Sequence, residues 1–240
     1  MASIAEWIEG ARPRTLPAAI APVIAGAGVT GYTGTTLSTG EIVRNGLLAL
    51  LVALALQIGV NYFNDYSDGV RGTDEVRVGP VRLVGQGLAP AKQVRTAALV
   101  SLAVAAIAGL ALILLSGQWI LLPIGIAAVL SAYGYTGGAR PYGYIGLGEL
   151  FVFVFFGPVA VCGTTLVTGG GVWPVSAAVS VAIGLLTVNI LVANNLRDRE
   201  LDEQSGKHTL AVRLGDERTR RGFAGANILA FVLVAWVGLA

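Results

Sequence analysis

Five stretches of this sequence carry no charged side chain: Thr15–Gly40, Gly46–Asn64, Thr96–Ala139, Phe151–Leu196 and Gly222–Ala240, of 26, 19, 44, 46 and 19 residues. A helix crossing the hydrocarbon core of a bilayer needs about 20 apolar residues at about 1.5 Å each. The first, second and last stretches each fit one crossing. The 44-residue stretch divides at Ser116-Gly117-Gln118, and the 46-residue stretch at Gly169-Gly170-Gly171 before Trp173-Pro174, where turn-forming residues cluster. The expected fold is therefore an all-α polytopic membrane bundle of seven spans, near 15–33, 43–63, 96–115, 119–136, 147–168, 173–195 and 222–240. The first span follows Arg12 and Arg14 as a signal peptide would, but six further spans follow it and no soluble domain does.

Composition agrees. Charged residues make up 12% of the 240, about half the share of an ordinary soluble domain, which excludes a soluble globular enzyme and a disordered chain. A net charge of +2 supplies no basic patch, so nucleic acid is not an expected partner. One cysteine, Cys162, and one histidine, His208, can build neither a disulfide framework nor a Cys/His zinc site.

Seven spans alternate sides, which sorts the polar segments. Residues 1–14, 65–95, 137–146 and 197–221 fall on one face and hold 15 of the 16 Lys and Arg residues, with Arg44 alone opposite. That bias places the rich face in the cytoplasm of a cell-membrane protein. Nearly all the acidic residues lie there too.

Two acidic helix ends are the chemical signal. Asn61, Asp65 and Asp68 follow at i, i+4 and i+7 where the second span leaves the membrane, and Asn194, Asp198 and Asp202 follow at i, i+4 and i+8 where the sixth does. Each set shares a helical face. Solvated acids at loop ends would spread apart, which suits Glu200, Glu203, Asp216 and Glu217. The repeated Asn-x-x-x-Asp pattern at one depth suits a metal site instead. Carboxylate and amide oxygens without His or Cys select Mg²⁺, which keeps waters and joins carboxylates to substrate phosphates. Four aspartates, two Mg²⁺ and a diphosphate leave a net charge of about −3, so cations must converge on the same place. Arg14, Arg71, Arg82, Arg140, Arg197 and Lys207 are available, each of which could equally be a positive-inside anchor.

These residues resemble the UbiA superfamily of intramembrane prenyltransferases, through the paired motifs Asn61–Asp74 and Asn194–Asp202. Three further stretches resemble its 1,4-dihydroxy-2-naphthoate (MenA) branch: Ala11–Pro17, Tyr135–Pro141 with Gly146–Glu149, and Gly206–Gly215. The last acidic place of the first motif holds Gly72 here, with Asp74 two residues on. The resemblance implies one transmembrane domain over 1–240, with loops 65–95 and 197–221 carrying or capping the active site. The family usually has nine helices, so two would lie beyond Ala240. It further implies Mg²⁺-dependent transfer of a polyprenyl chain from an allylic diphosphate to dihydroxynaphthoate, with loss of CO₂ and diphosphate, in menaquinone biosynthesis.

On that reading Asn61, Asp65 and Asp68 hold one metal, and Asn194, Asp198 and Asp202 the other, with the four aspartates catalytic. Arg140 and Lys207 are expected on the diphosphate, with Arg14 and Arg71 beside them. Tyr135, Tyr62, Tyr66 or Tyr142 would shield the allylic cation, although interfacial tyrosines also serve as belt anchors. Phe151, Phe153, Phe155 and Phe156 are expected to touch lipid or to pack between helices. Partners are the two substrates and membrane lipid. Other acceptors, such as 4-hydroxybenzoate, stay open. A cation transporter would place charge near the bilayer midplane, and the middle of every span is uncharged.

Overall fold

The structure is a computed structural model that describes residues 2–72, 81–137 and 141–239. It is an all-α polytopic membrane bundle. Among the described residues the long helices are α2 (Pro17–Thr33), α3 (Thr39–Arg71), α4 (Ala91–Ser116), α8 (Pro174–Arg197) and α11 (Asp216–Leu239). A further continuous segment, Gly148–Gly169, contains α6 (Gly148–Val154), a π-helical stretch Phe155–Cys162 and α7 (Gly163–Gly169). Shorter helices are α1 (Ile4–Gly10), α5 (Leu121–Gly134), α9 (Arg199–Gln204) and α10 (Leu210–Leu214).

The helix ends follow local chemistry. The Ser38 hydroxyl accepts from the Glu41 amide, and the Glu41 carboxylate accepts from the Ser38 amide at 2.9 Å, which together start α3. Gly72, at φ 72°, ends it. At 33 residues α3 is about 50 Å long, well beyond a ~30 Å hydrocarbon core. Its last turns, from Asn61 onward, therefore project past the membrane and carry the first acidic motif.

Five helical segments are long and apolar enough to cross a membrane, and a sixth counts if Ile4–Thr15 and Pro17–Thr33, bent by 50°, form one crossing. The seven full spans expected from the charge-free stretches are thus not all present by length. The shortfall is α5, whose 14 residues reach about 21 Å because regular helix gives way to turns at Tyr135. Outward-facing side chains are apolar, as in Ile228 and Phe231 of α11, each 66% exposed. Such a surface is stable in lipid and not in water.

The π stretch is held between α2 and α8 by backbone contact. A Cβ on Gly26 would lie 2.5 Å from the Val161 carbonyl oxygen, and one on Gly157 would lie 2.6 Å from that of Ser180. Small residues allow this close approach in membranes. The extra residue per turn pushes Phe155, Phe156, Val159 and Ala160 toward a central cavity.

Candidate active site

One cavity of about 1160 Å³ runs up the bundle interior. Its apolar arm is lined by Leu56, Leu110, Ile113, Val129 and the π-stretch residues, and its polar end by both acidic helix ends. Asn61, Asn64 and Asp68 reach it from α3, and Asn194, Asp198 and Asp202 from α8 and α9. The two motifs therefore meet across one space.

Lys207 ties them together. Its ammonium lies 3.1 Å from Asp68 Oδ1, both side chains being buried, and its backbone N–H donates to the Asp202 carbonyl at 2.8 Å. The Tyr144 hydroxyl also donates to Asp68 Oδ1, and the Tyr144 ring lies 4.6 Å under the Lys207 ammonium. The Tyr144 backbone carbonyl accepts from His208 N–H at 2.8 Å, which fixes the 142–145 turn against the loop after α9. Burial, and then the neighbouring Asp68 carboxylate, pushes the Tyr144 phenol well above the usual tyrosine range. Burial does the same to Tyr142. Both remain neutral donors near pH 7. Arg197 holds both oxygens of Asp198 at 2.8 Å in a bidentate pair.

Not every expected residue turns inward. The Asp65 carboxylate accepts from the backbone N–H groups of Leu83 (2.7 Å) and Val84 (3.1 Å) and does not line the cavity. Helical geometry gives the reason. At about 100° per residue, Asn64, Asp68 and Asn61 fall within about 60° of one another, and Asp65 lies beyond that arc on the far side from Asn64. Asn61 reaches the cavity but donates its amide N–H to the Ala11 carbonyl (2.8 Å) and to Thr15 Oγ1 (3.0 Å). Arg14 and Tyr135 line the cavity. Arg71 instead donates to the Thr136 carbonyl at 2.9 Å, closing α3 onto the chain after α5. Arg140 and Asp74 lie outside the described residues.

Of the expected aromatic shield, Tyr135 and Tyr142 line the cavity. Tyr62 instead donates to the Trp7 carbonyl, and Tyr66 packs on Phe63. Phe151, Phe155 and Phe156, expected to touch lipid or pack between helices, line the cavity, Phe151 from α6 and the other two from the π stretch. Phe153 is a packing residue against Gly184.

Among the cavity residues that escaped the sequence reading are Asn64, Tyr144 and Arg12. Asn64 Oδ1 is buried with no hydrogen-bond partner and sits one turn before Asp68. Its spacing to Asp68 is the same i, i+4 as Asn61 to Asp65, so only burial separates the pairs. Tyr144 gave no signal beyond its neighbours, and Arg12 none beyond its place before Pro13. Among the described residues no three His, Cys, Asp or Glu side chains form a ready metal cage. The donors come as amide–carboxylate pairs from opposite walls, and the orphaned Asn64 oxygen is a neutral ligand of the hardness Mg²⁺ takes.

The profile of the UbiA prenyltransferase family matches residues 19–240. This chain belongs to the UbiA prenyltransferase family. It is 56% identical, over 98% of its length and 80% of the relative's, to the 1,4-dihydroxy-2-naphthoate octaprenyltransferase of Mycobacterium tuberculosis (strain ATCC 25618 / H37Rv). It is 38% identical, over 97% of its length and 76% of the relative's, to that of Escherichia coli (strain K12). Among solved structures, a UbiA homolog from Archaeoglobus fulgidus bound to GPP and Mg²⁺ superposes with a TM-score of 0.73 at 17% identity, covering 98% of this chain and 78% of the other. The UbiA fold is thus shared well below the identity at which a substrate could be carried across.

Proposed function

We propose that this UbiA-family protein transfers a polyprenyl chain from an allylic polyprenyl diphosphate to 1,4-dihydroxy-2-naphthoate, releasing diphosphate and CO₂, in menaquinone biosynthesis. One observation carries it: a single cavity joins two acidic helix ends to an apolar arm, the outline of an isoprenoid diphosphate. The naphthoate acceptor is the one named for the relatives that match nearly the whole chain.

Two Mg²⁺ ions would be held by Asn64 and Asp68, with Asn61 behind them, and by Asn194, Asp198 and Asp202. Bound there, they would neutralise the leaving diphosphate and lower the barrier to its departure. Lys207 and Arg14 place further positive charge at the same end. The allylic C–O bond breaks and its electron pair leaves with the diphosphate. The ring faces of Tyr135, Tyr142 and Phe151 line the space where the allylic cation forms, each worth about 1–2 kcal/mol when desolvated. An electron-rich carbon of the dihydroxynaphthoate then attacks the cation, and the ring loses its carboxylate as CO₂. Asp65 anchors the 81–90 segment over the cavity mouth and keeps bulk water from the cation.

The site faces the cytoplasm, and α5 completes a seventh crossing within one transmembrane domain. Hydrogen-bonded turns extend α5 from Gln118 to Gly137, which lengthens its reach. Asp68 at the end of α3 touches Tyr144, which follows α5, so α5 returns the chain to the end where α4 began.

The test uses the protein in membranes with labelled long-chain prenyl diphosphate and each candidate acceptor. Transfer to dihydroxynaphthoate with stoichiometric CO₂ release, abolished by EDTA, is expected. Transfer to 4-hydroxybenzoate without CO₂ release would replace the acceptor, and full turnover in EDTA would refute the metal site.

A further inference from the structure

Glu149, 7% exposed at the start of α6, is a buried acid that none of the transfer steps uses. A buried carboxyl needs a partner. Here Glu149 Oε1 accepts from the side-chain N–H of Asn195, on α8, at 2.9 Å. Asn195 lines the cavity and Glu149 stands behind it.

The contact fixes which way the Asn195 amide points. Asn195 follows Asn194 by about 100° of helical turn, so it leaves the face that Asn194 shares with Asp198. A carboxylate only accepts, so the amide nitrogen must face Glu149 and the amide oxygen must face away from it. No hydrogen-bond donor among the described residues engages that oxygen, and it is not sealed in the interior as the Asn64 and Asn189 oxygens are.

The same corner of the bundle carries an aromatic wall. A Cβ on Gly148, the residue before Glu149, would lie 3.4 Å from the Tyr135 ring, 3.8 Å from its hydroxyl and 3.4 Å from Leu191 Cδ2. Leu191 sits one turn before Asn195 on α8, and both line the cavity with Tyr135. Tyr135 meets Tyr142 edge-on, and Tyr142 stacks on Phe151 at 4.0 Å. Residues 148 and 149 therefore seat a flat aromatic wall beside a fixed amide oxygen.

We infer that Asn195 binds the acceptor: its amide oxygen takes a hydrogen bond from a ring hydroxyl of the aromatic substrate, and Glu149 is the positioning residue that holds the amide in that orientation. The inference rests on the prenyl-transfer reading above and assigns part of its acceptor subsite. A ring lying on the aromatic wall, where the allylic cation forms, can turn its hydroxyl edge to α8. Accepting from the hydroxyl polarises the O–H bond toward oxygen and enriches the ortho ring carbons, one of which attacks the cation. The hydroxyl proton stays on its oxygen.

Binding is measured calorimetrically in detergent, without oxygen, for 1,4-dihydroxy-2-naphthoate and for 1-hydroxy-2-naphthoate and 4-hydroxy-2-naphthoate, each of which lacks one hydroxyl. The wild type should bind the dihydroxy compound about threefold to thirtyfold more tightly than one of these two, the range for a hydrogen-bonding group left unmet. Asn195→Leu, similar in volume, should bring that ratio to about twofold or less. Glu149→Gln, whose amide can donate as well as accept, should lower it part of the way. The KM for prenyl diphosphate and the Mg²⁺ requirement should stay within about twofold of the wild type in both variants. An unchanged ratio in Asn195→Leu, or a Mg²⁺ requirement that rises as acceptor binding falls, overturns the inference. An unchanged ratio in Glu149→Gln removes the positioning role. Should Asn195→Leu not fold, Asn195→Ala decides by the same ratio. A wild type that prenylates 4-hydroxybenzoate instead fails the naphthoate reading, and the ratio of 4-hydroxybenzoate to benzoate binding then decides Asn195.

Discussion

The carboxylate of Asp68 is buried with the Lys207 ammonium and the Tyr144 hydroxyl on the same oxygen. Asp68→Asn keeps the shape and removes the charge. Turnover should fall by about 10²–10³-fold or more, the scale for losing one electrostatic contributor to a transition state, with expression unchanged. Asp65 gives the contrast. Asp65→Asn keeps one oxygen for the Leu83 and Val84 amides, so it should retain measurable turnover while making the 81–90 segment more sensitive to protease. Equal loss in both variants would return Asp65 to the metal site. The pairs Asn61–Asp65 and Asn64–Asp68 are indistinguishable on paper, and which one faces inward depends on the loop that captures Asp65, a contact 18 residues away in sequence. Tyr144 adds a pH effect. Its phenol is raised by burial and by Asp68, so its contribution to stability is complete below the unfolded value of about 10 and is lost as pH rises from there toward the higher folded value. Melting temperature should therefore fall between pH 9 and 11, and fall less in Tyr144→Phe.

At the scale of elements, some helix ends were legible, since capping residues and turn glycines act locally, although α3 (Thr39–Arg71) overruns the expected span 43–63 at both ends. Ser38 with Glu41, Gly72, Gly117 and Gly170 all mark observed ends. The length of α5 and the π stretch were hidden, because an uncharged run records that a segment is apolar and not how it winds. The same holds for the glycines, which number 33 in the chain. Small residues as a class permit close helix packing in membranes, yet only particular glycines here would meet backbone if they carried a Cβ. Gly157→Ala should cost about 1–3 kcal/mol from overpacking against the Ser180 carbonyl, and should displace Phe155 and Phe156 from the cavity wall. Gly28, which has open space around its Cβ position, should tolerate alanine or gain up to about 1 kcal/mol of helix propensity. Thermal melts of the two variants side by side check both, and equal effects would remove the argument that the π stretch is clasped by backbone contact.

The arrangement of the whole molecule follows from two distributions that a sequence states directly: where charge is absent, and on which side the cations collect. Both concern the bilayer rather than any partner residue, and so survive without knowledge of packing. The cavity that joins the two acidic ends depends on packing among α3, α5, α8 and the π stretch, and no linear pattern encodes its shape. Topology is the property most open to direct measurement. With Cys162→Ala as background, single cysteines at Thr36, Gln118, Ile145 and Glu203 can be labelled by an impermeant maleimide in intact and in permeabilised cells. If α5 crosses despite its 14 residues, Thr36 and Gln118 share the outer side, and Ile145 and Glu203 label only after permeabilisation. A short helix that returned without crossing would put Ile145 with Gln118. That result would also break the Tyr144–Asp68 contact, since two groups on opposite faces of a ~30 Å core cannot share a hydrogen bond. The labelling pattern and the geometry of the site are therefore one prediction: Ile145 must protect and expose together with Glu203, because the turn holding Tyr144 and the loop holding Lys207 close over the same carboxylate.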